Sequence, residues 1–220
     1  MSSHTPPRKR GRPRLEATSA QSGAERLLAV AVEAFGSRGF AGTSVREIAA
    51  AAQVDPALIK HQYGSKADLW HAAVDTVSSR LLAELAPVRV IAAQGSMRAT
   101  EALAEAVAHL VDVTCDNPLI ARFVLTEIAQ QDARSDYVFD KLVVPIHDML
   151  VPLVTATGAD RGEKFDADMA FIAFNGAIVT AVAARPFLAR MSGRLGEDTY
   201  FKEHLARAVL AQLLPSTGKG

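Results

Sequence analysis

Three helix starts crowd between residues 44 and 68, and that crowding constrains the fold more than anything else in the sequence. Ser44 and Glu47 have the spacing of a capping box, ahead of Val45, Ile48, Ala49 and Ala52 on one helical face. Gln53-Val54 then breaks the pattern, and Asp55 is placed to cap a second short helix. Pro56 opens that helix at the one position where a missing N–H costs nothing. Val54 and Ile59 have the spacing of a hydrophobic staple. Gly64 ends this helix, and Ser65 with Asp68 opens a long one that carries Leu69, Val77, Leu81 and Leu85. Upstream, Ala24, Leu27, Leu28, Ala31, Ala34 and Phe35 recur at helical intervals, and Gly39 offers a left-handed stop with Phe40 behind it.

The remainder predicts longer helices over 97–116, 118–132, 135–156, 163–185 and 198–214, with boundaries at Asn117-Pro118 and Thr157-Gly158. Pro145 and Pro152 fall inside a helical pattern and predict a kink or a shorter helix there, and Pro87 closes the long helix or follows its end. No segment sustains strand alternation, so the fold class is all-α. Residues 1–20, rich in Pro, Ser, Thr and Arg, read as a disordered basic arm. Residues 21–68 form a three-helix domain, 69–214 a larger helical domain, and 215–220 a flexible tail.

Charge is uneven. The whole chain has 24 basic and 24 acidic residues, yet residues 1–80 hold 11 basic against 7 acidic. Five of the basic residues are Arg8, Lys9, Arg10, Arg12 and Arg14. A basic arm on a near-neutral body points to nucleic acid at one end. The centre of that arm, Arg10-Gly11-Arg12-Pro13, resembles an AT-hook, a slim extended backbone that inserts arginines into a narrow minor groove. No uninterrupted apolar run approaches a bilayer span, the N-terminus lacks a secretory signal, and the single cysteine, Cys115, fits a reducing compartment. The expected location is cytoplasmic, with no membrane partner.

Two short helices a few residues apart match a helix-turn-helix, in which the second helix enters the major groove. Ile59 and Tyr63 face one way, leaving Pro56, Ala57, Leu58, Lys60 and His61 for DNA. Lys60 suits guanine or phosphate, and Ala57 or Leu58 a thymine methyl. The segment Arg26 to Asp75 resembles the DNA-binding domain of the TetR family of bacterial regulators. The resemblance rests on Ala31, Phe35, Gly39, Thr43-Ser44-Val45, Ile48-Ala49, Ala52, Val54, Ile59, Tyr63, Gly64-Ser65-Lys66 and Leu69. One departure is Gln53, where the family usually places a turn glycine. The resemblance implies phosphate contacts by Thr43, Tyr63 and Lys66, with Ser44 beside them. It also implies base reading by Ala57, Leu58, Lys60 and His61.

For the larger domain, the resemblance implies that the last two long helices form a homodimer interface. Phe171, Phe174 and Ile178 are expected there, with the stripe Leu205, Val209 and Leu213. A small-molecule effector is expected in an apolar cavity to which His109, Thr114, Phe123, Met149 and Asn175 contribute. The reading is a transcriptional regulator, by family default a repressor released from a palindromic operator by its effector. The rival is an architectural protein for A·T-rich DNA with weak sequence specificity. No cofactor is called for. Catalytic signatures are missing: there is no G-x-S-x-G, dinucleotide glycine fingerprint or H-E-x-x-H. Asp68, His71 and Asp75 share a helix face, but an exposed polar face explains them better than a metal.

Overall fold

The structure is a computed structural model that describes residues 15–93, 97–160 and 166–214. Every element among the described residues is helical. The order is α1 (Leu15–Arg38), α2 (Val45–Ala51), α3 (Pro56–Gln62), α4 (Lys66–Glu84), α5 (Ala86–Ala93), α6 (Ala99–Asp116), α7 (Pro118–Ile128), α8 (Ala133–Val138), α9 (Val144–Asp160), α10 (Ala167–Met191) and α11 (Asp198–Leu213). A π-turn joins α8 to α9 over Phe139–Val143, and a 3-10 turn spans Gly193–Gly196. The basic arm with Arg10, Arg12 and Arg14, and the tail 215–220, lie outside the described residues.

Helix α1 begins earlier than expected. Residues 15–20, read as part of a disordered arm, are already helical. The window that spans 1–20 is dominated by the Pro and Ser of its first half, whereas Leu15-Glu16-Ala17 are good helix formers. Helix α1 packs on α2, α4 and α7, and a continuous hydrophobic core runs from Leu27 through Leu69 and Trp70 to Val209. No break in packing marks the boundary after residue 68, because the buried side chains at the base of α4 are shared by both halves.

The prolines act differently from one another. Pro145 has no N–H to give the carbonyl four residues back, that of Lys141, and the helix widens there into the π-turn. Ser78 on α4 takes up the freed acceptor, its Oγ donating to Lys141 O at 2.7 Å. Pro186 was expected to lie just past a helix end, yet α10 runs on to Met191. Beside it, the Arg185 guanidinium donates to Leu195 O, Gly196 O and Asp198 Oδ1, locking the turn into α11. Pro87 stands in the first turn of α5, where it is tolerated.

Two stretches, Ala133–Ala159 and Ala167–Met191, are by length and composition apolar enough to match a membrane span, which counting uninterrupted apolar runs did not show. The first packs against α6 and α10. The second is covered on one face only: Phe171, Phe174, Ile178 and Val182 point inward, while Met169, Ile172, Phe187 and Met191 are exposed.

Two predictions follow from these joints. Ser78 is buried, so Ser78→Ala leaves the Lys141 carbonyl without its donor and should cost about 1–3 kcal/mol in urea unfolding. A change under about 0.5 kcal/mol would show that the π-turn does not depend on this bond. His147 links α9 to α10, its Nδ1 3.0 Å from Asp148 Oδ1 and its Nε2 2.9 Å from Asp168 Oδ1. Hydrogen bonding to Asp148, then to Asp168, raises its pKa above the usual value. The stabilisation is therefore complete below about pH 6.5 and fades as pH climbs through the raised value. His147→Gln should flatten the decline of thermal stability between about pH 6 and 8, and an unchanged slope would remove His147 as its source.

Candidate nucleic-acid interface

The helix-turn-helix is assembled from backbone closures that its side chains specify. Helix α1 stops at Gly39, whose φ of 70° is left-handed. Gly42 is required by a close approach: a Cβ there would lie 2.5 Å from Arg38 O. Thr43 follows, 3% exposed, with Oγ1 donating to Gly39 O at 2.7 Å and Ala34 O at 3.1 Å. The hydroxyl's proton is thus engaged in closing α1.

Ser44 opens α2 in extended conformation, but its side chain makes no cap bond. The expected capping box with Glu47 does not form, because that carboxylate pairs instead with Arg38 at 3.2 Å. At the other end of α2, Val54 N–H donates to Ala49 O and Gln53 N–H to Ala50 O, the two bonds of a Schellman turn. Gln53 sits at its left-handed position with φ 55°. The side chain departs from the usual glycine, yet the turn keeps its shape. Asp55 then caps α3, accepting from Ala57 N–H at 2.7 Å, with Pro56 in the first turn as expected.

Buried Ile59 anchors α3 to the core, and Pro56, Ala57, Lys60 and His61 are all exposed. Leu58 is half-buried and turned toward α1, since a Cβ on Gly23 would lie 3.7 Å from Leu58 Cδ2. Tyr63 ends α3 half-buried, and burial pushes its phenol above the usual pKa, so it remains an O–H donor. Lys66 opens α4 with Nζ 4.4 Å from the centre of the Phe40 ring. The exposed Arg46, on α2 beside Ser44, and Gln62, at the end of α3, were passed over. For Arg46 the available signal was a basic residue on the face opposite Ile48 and Ala49.

The larger half contains a narrow apolar cavity of about 30 Å³. Leu81 of α4, Leu110 and Thr114 of α6, Ile120 and Val124 of α7, Leu142 of the π-turn and Asn175 of α10 are among its walls. The Thr114 hydroxyl donates to Leu110 O, so the Asn175 amide is the polar group better placed to meet a guest. The other three expected pocket residues lie elsewhere. His109 Nε2 donates to Glu84 O at 2.8 Å and closes α4. Phe123 packs on Trp70, and Met149 lines a separate surface cleft between α5 and α9.

Residues 27–73 match the sequence model of bacterial regulatory proteins of the tetR family. The helix-turn-helix lies within the matched residues and is similar to that family. The same fold extends over the larger domain of solved tetR-like structures. A TetR-like transcriptional regulator from Rhodococcus sp. RHA1 is 22% identical with TM-score 0.66, covering 90% of this chain and 97% of its own. A putative fatty acid metabolism regulator from Clostridium perfringens is 13% identical with TM-score 0.69, covering 86% and 96%. The regulator FadR from Bacillus subtilis, solved with stearoyl-CoA, is 16% identical with TM-score 0.63, covering 87% and 98%. A sequence comparison with curated proteins finds no match.

The matched residues, 27–73, are thus similar to bacterial regulatory proteins, and the larger half shares the fold of solved regulators. Among the described residues no group of three metal-ligating side chains comes together. Asp68 accepts from the Ser65 hydroxyl, His71 lies against Tyr137, and Asp75 accepts from Tyr137 and pairs with Lys141. The residues expected at a dimer interface are mostly internal: Phe171, Phe174, Ile178 and Val209 are buried in the chain's own core. Leu205 and Leu213 are half-buried.

Left-handed backbone costs a side-chain-bearing residue about 1–2 kcal/mol. Gln53→Gly should therefore stabilise the protein by about 0.5–1 kcal/mol in urea unfolding, since glycine's unfolded-state entropy takes back part of the gain. Unchanged or reduced stability would mean that the Gln53 side chain contributes a contact worth as much as the strain.

Proposed function

We propose that the protein is a dimeric repressor that holds a palindromic operator and lets go when an apolar effector parts the walls of its cavity. The observation that carries this reading is the α3 face: Pro56, Ala57, Lys60 and His61 stand clear of the chain while Ile59 behind them is fully engaged. Lys60 and His61 supply donors for base edges and Ala57 a methyl contact. Ser44, Tyr63 and Lys66 flank the groove as phosphate anchors. Arg10, Arg12 and Arg14 precede α1 closely enough to follow the adjacent minor groove.

A palindrome demands a dyad. The uncovered face of α10 supports one: Ile172, Gly176, Thr180 and Phe187 are exposed at helical spacing, and a Cβ on Gly176 meets nothing within 4 Å. A second α10 fits closely against such a face. The cavity holds little more than water-sized molecules, so an effector binds only if α7 and the π-turn give way. Its affinity thus differs between two shapes of the protein, which is what release of DNA requires. The stearoyl-CoA in the FadR structure supports an acyl chain as the class of guest.

The deciding experiment is selection from random duplexes at about 150 mM salt with excess competitor, followed by titration of the selected sequence. A palindrome bound about 10³-fold more tightly than competitor supports the repressor. Loss of nearly all binding on deletion of residues 1–14 supports the architectural rival instead. Ile172→Glu buries an unpaired charge in the proposed interface. It should give a monomer in sedimentation and weaken the selected site by about 100-fold or more. A dimer that persists with full affinity would place the dyad elsewhere.

A further inference from the structure

Phe40 belongs to the turn between α1 and α2, and two cations from other elements lie over its ring, which also stacks on Phe35. Lys66 Nζ, at the start of α4, lies 4.4 Å from the ring centre. The guanidinium carbon of Arg134, in the first turn of α8, lies 4.5 Å from it. Arg134 is held in turn by two carboxylates, with Nε donating to Glu127 Oε2 at 3.4 Å and Nη2 to Asp132. Glu127 is 1% exposed, and its other oxygen accepts the Phe40 backbone N–H at 3.3 Å. One buried carboxylate therefore grips both the ring's cation and the ring's own backbone. The ring also stands edge-on to Trp70.

We propose that Arg134 is a positioning residue for DNA binding, acting through Phe40 on Lys66. A lysine head group is flexible in water and loses conformational entropy when it is placed on a phosphate. The Phe40 ring reduces that loss by holding the ammonium near its bound position before DNA arrives. The ring keeps its place because Arg134 packs over it, Phe35 stacks on it and Glu127 ties its backbone. This rests on the proposed phosphate contact of Lys66. It adds that an effector-domain residue sets the quality of that contact. Arg134 also sits on the continuous run of α8, π-turn and α9, and eight residues along it Leu142 forms part of the cavity wall. Eight residues of helix span about 12 Å. Movement of the cavity wall at Leu142 passes through the π-turn into α8 and shifts Arg134 against Phe40.

The test is a double-mutant cycle on binding to a mixed-sequence duplex of 30 base pairs, titrated from about 50 to 200 mM salt. That probe reads phosphate contacts and needs neither the operator nor an effector. Lys66→Met should lower affinity and reduce the slope of log K against log salt by about one per protomer bound. Arg134→Met should do nearly the same although Arg134 touches no DNA, and the double variant should be no worse than either single one. Removing Arg134 leaves Glu127 buried and unpaired. Glu127→Gln/Arg134→Met, in which an amide still accepts the Phe40 N–H, is therefore measured alongside, and each protein's fold is checked by thermal unfolding. Arg134→Lys should restore part of the loss, since an ammonium still covers the ring. If Lys66→Met is silent, the phosphate contact and the relay both fall. If Lys66→Met acts while a folded Arg134→Met or Glu127→Gln/Arg134→Met is silent, or if the two effects multiply, the relay alone is overturned.

Discussion

The structure depends on the burial of one indole at the base of α4. Trp70 is 0% exposed and meets Phe40 from the α1–α2 turn, Phe123 from α7 and Tyr137 from α8. Three elements from both halves of the chain thus close around a ring carried by a fourth. Leu69 beside it faces the same core, so the first turn of α4 is embedded where a bare linker would be free to swing. The indole N–H has no hydrogen-bond partner among the described residues, at a cost of about 1–3 kcal/mol. Burying a ring of that size among other aromatics outweighs it. A helix-turn-helix fixed in this way takes its orientation from the larger half of the chain. Any movement of α7 or α8 meets it at once.

Local chemistry was the most legible part of the sequence. Gly39, Asp55-Pro56, Gly64 and Ser65 each act through their own backbone or the next few residues, and all of them stand where their residue types place them. Even the left-handed Gln53 was foreseeable as the awkward residue in its turn. Legibility failed where two distant groups compete for one partner. Glu47 has the spacing for a capping box, but Arg38, nine residues upstream, takes its carboxylate. Thr43 was expected to meet a phosphate, with a local cap as the other reading, and its hydroxyl makes the cap bonds to Gly39 O and Ala34 O.

Long-range sites were less legible for the same reason. Thr114 and Asn175 do line the cavity, whereas His109 is drawn off by a carbonyl at the end of α4, 25 residues away. Nothing in the composition of a helix tells which of its inward residues faces a void. The void forms where α4, α6, α7, the π-turn and α10 fail to fill the space between them. The π-turn had a visible cause in Pro145, but its consequence was hidden. The proline frees one carbonyl, and a serine 63 residues earlier is what makes that carbonyl tolerable in a buried place.

Helix α10 shows the limit of periodicity most clearly. It is apolar on nearly every side, and such a helix expects cover on every side. Periodicity alone does not say which face meets its own chain and which meets something else. Phe171, Phe174 and Ile178, expected at an outer contact, turn inward. Large rings fill the irregular space between α10 and the helices of its own chain. The face left open carries Gly176, Ala173 and Thr180, small enough for another backbone to come close. Within one chain, wide gaps between helices crossing at different angles need bulk. Between two long helices lying side by side, small residues bring more atoms into contact than large ones. The exposed Ile172 and Phe187 flank that small-residue strip. A partner helix seated there meets a groove already shaped for it.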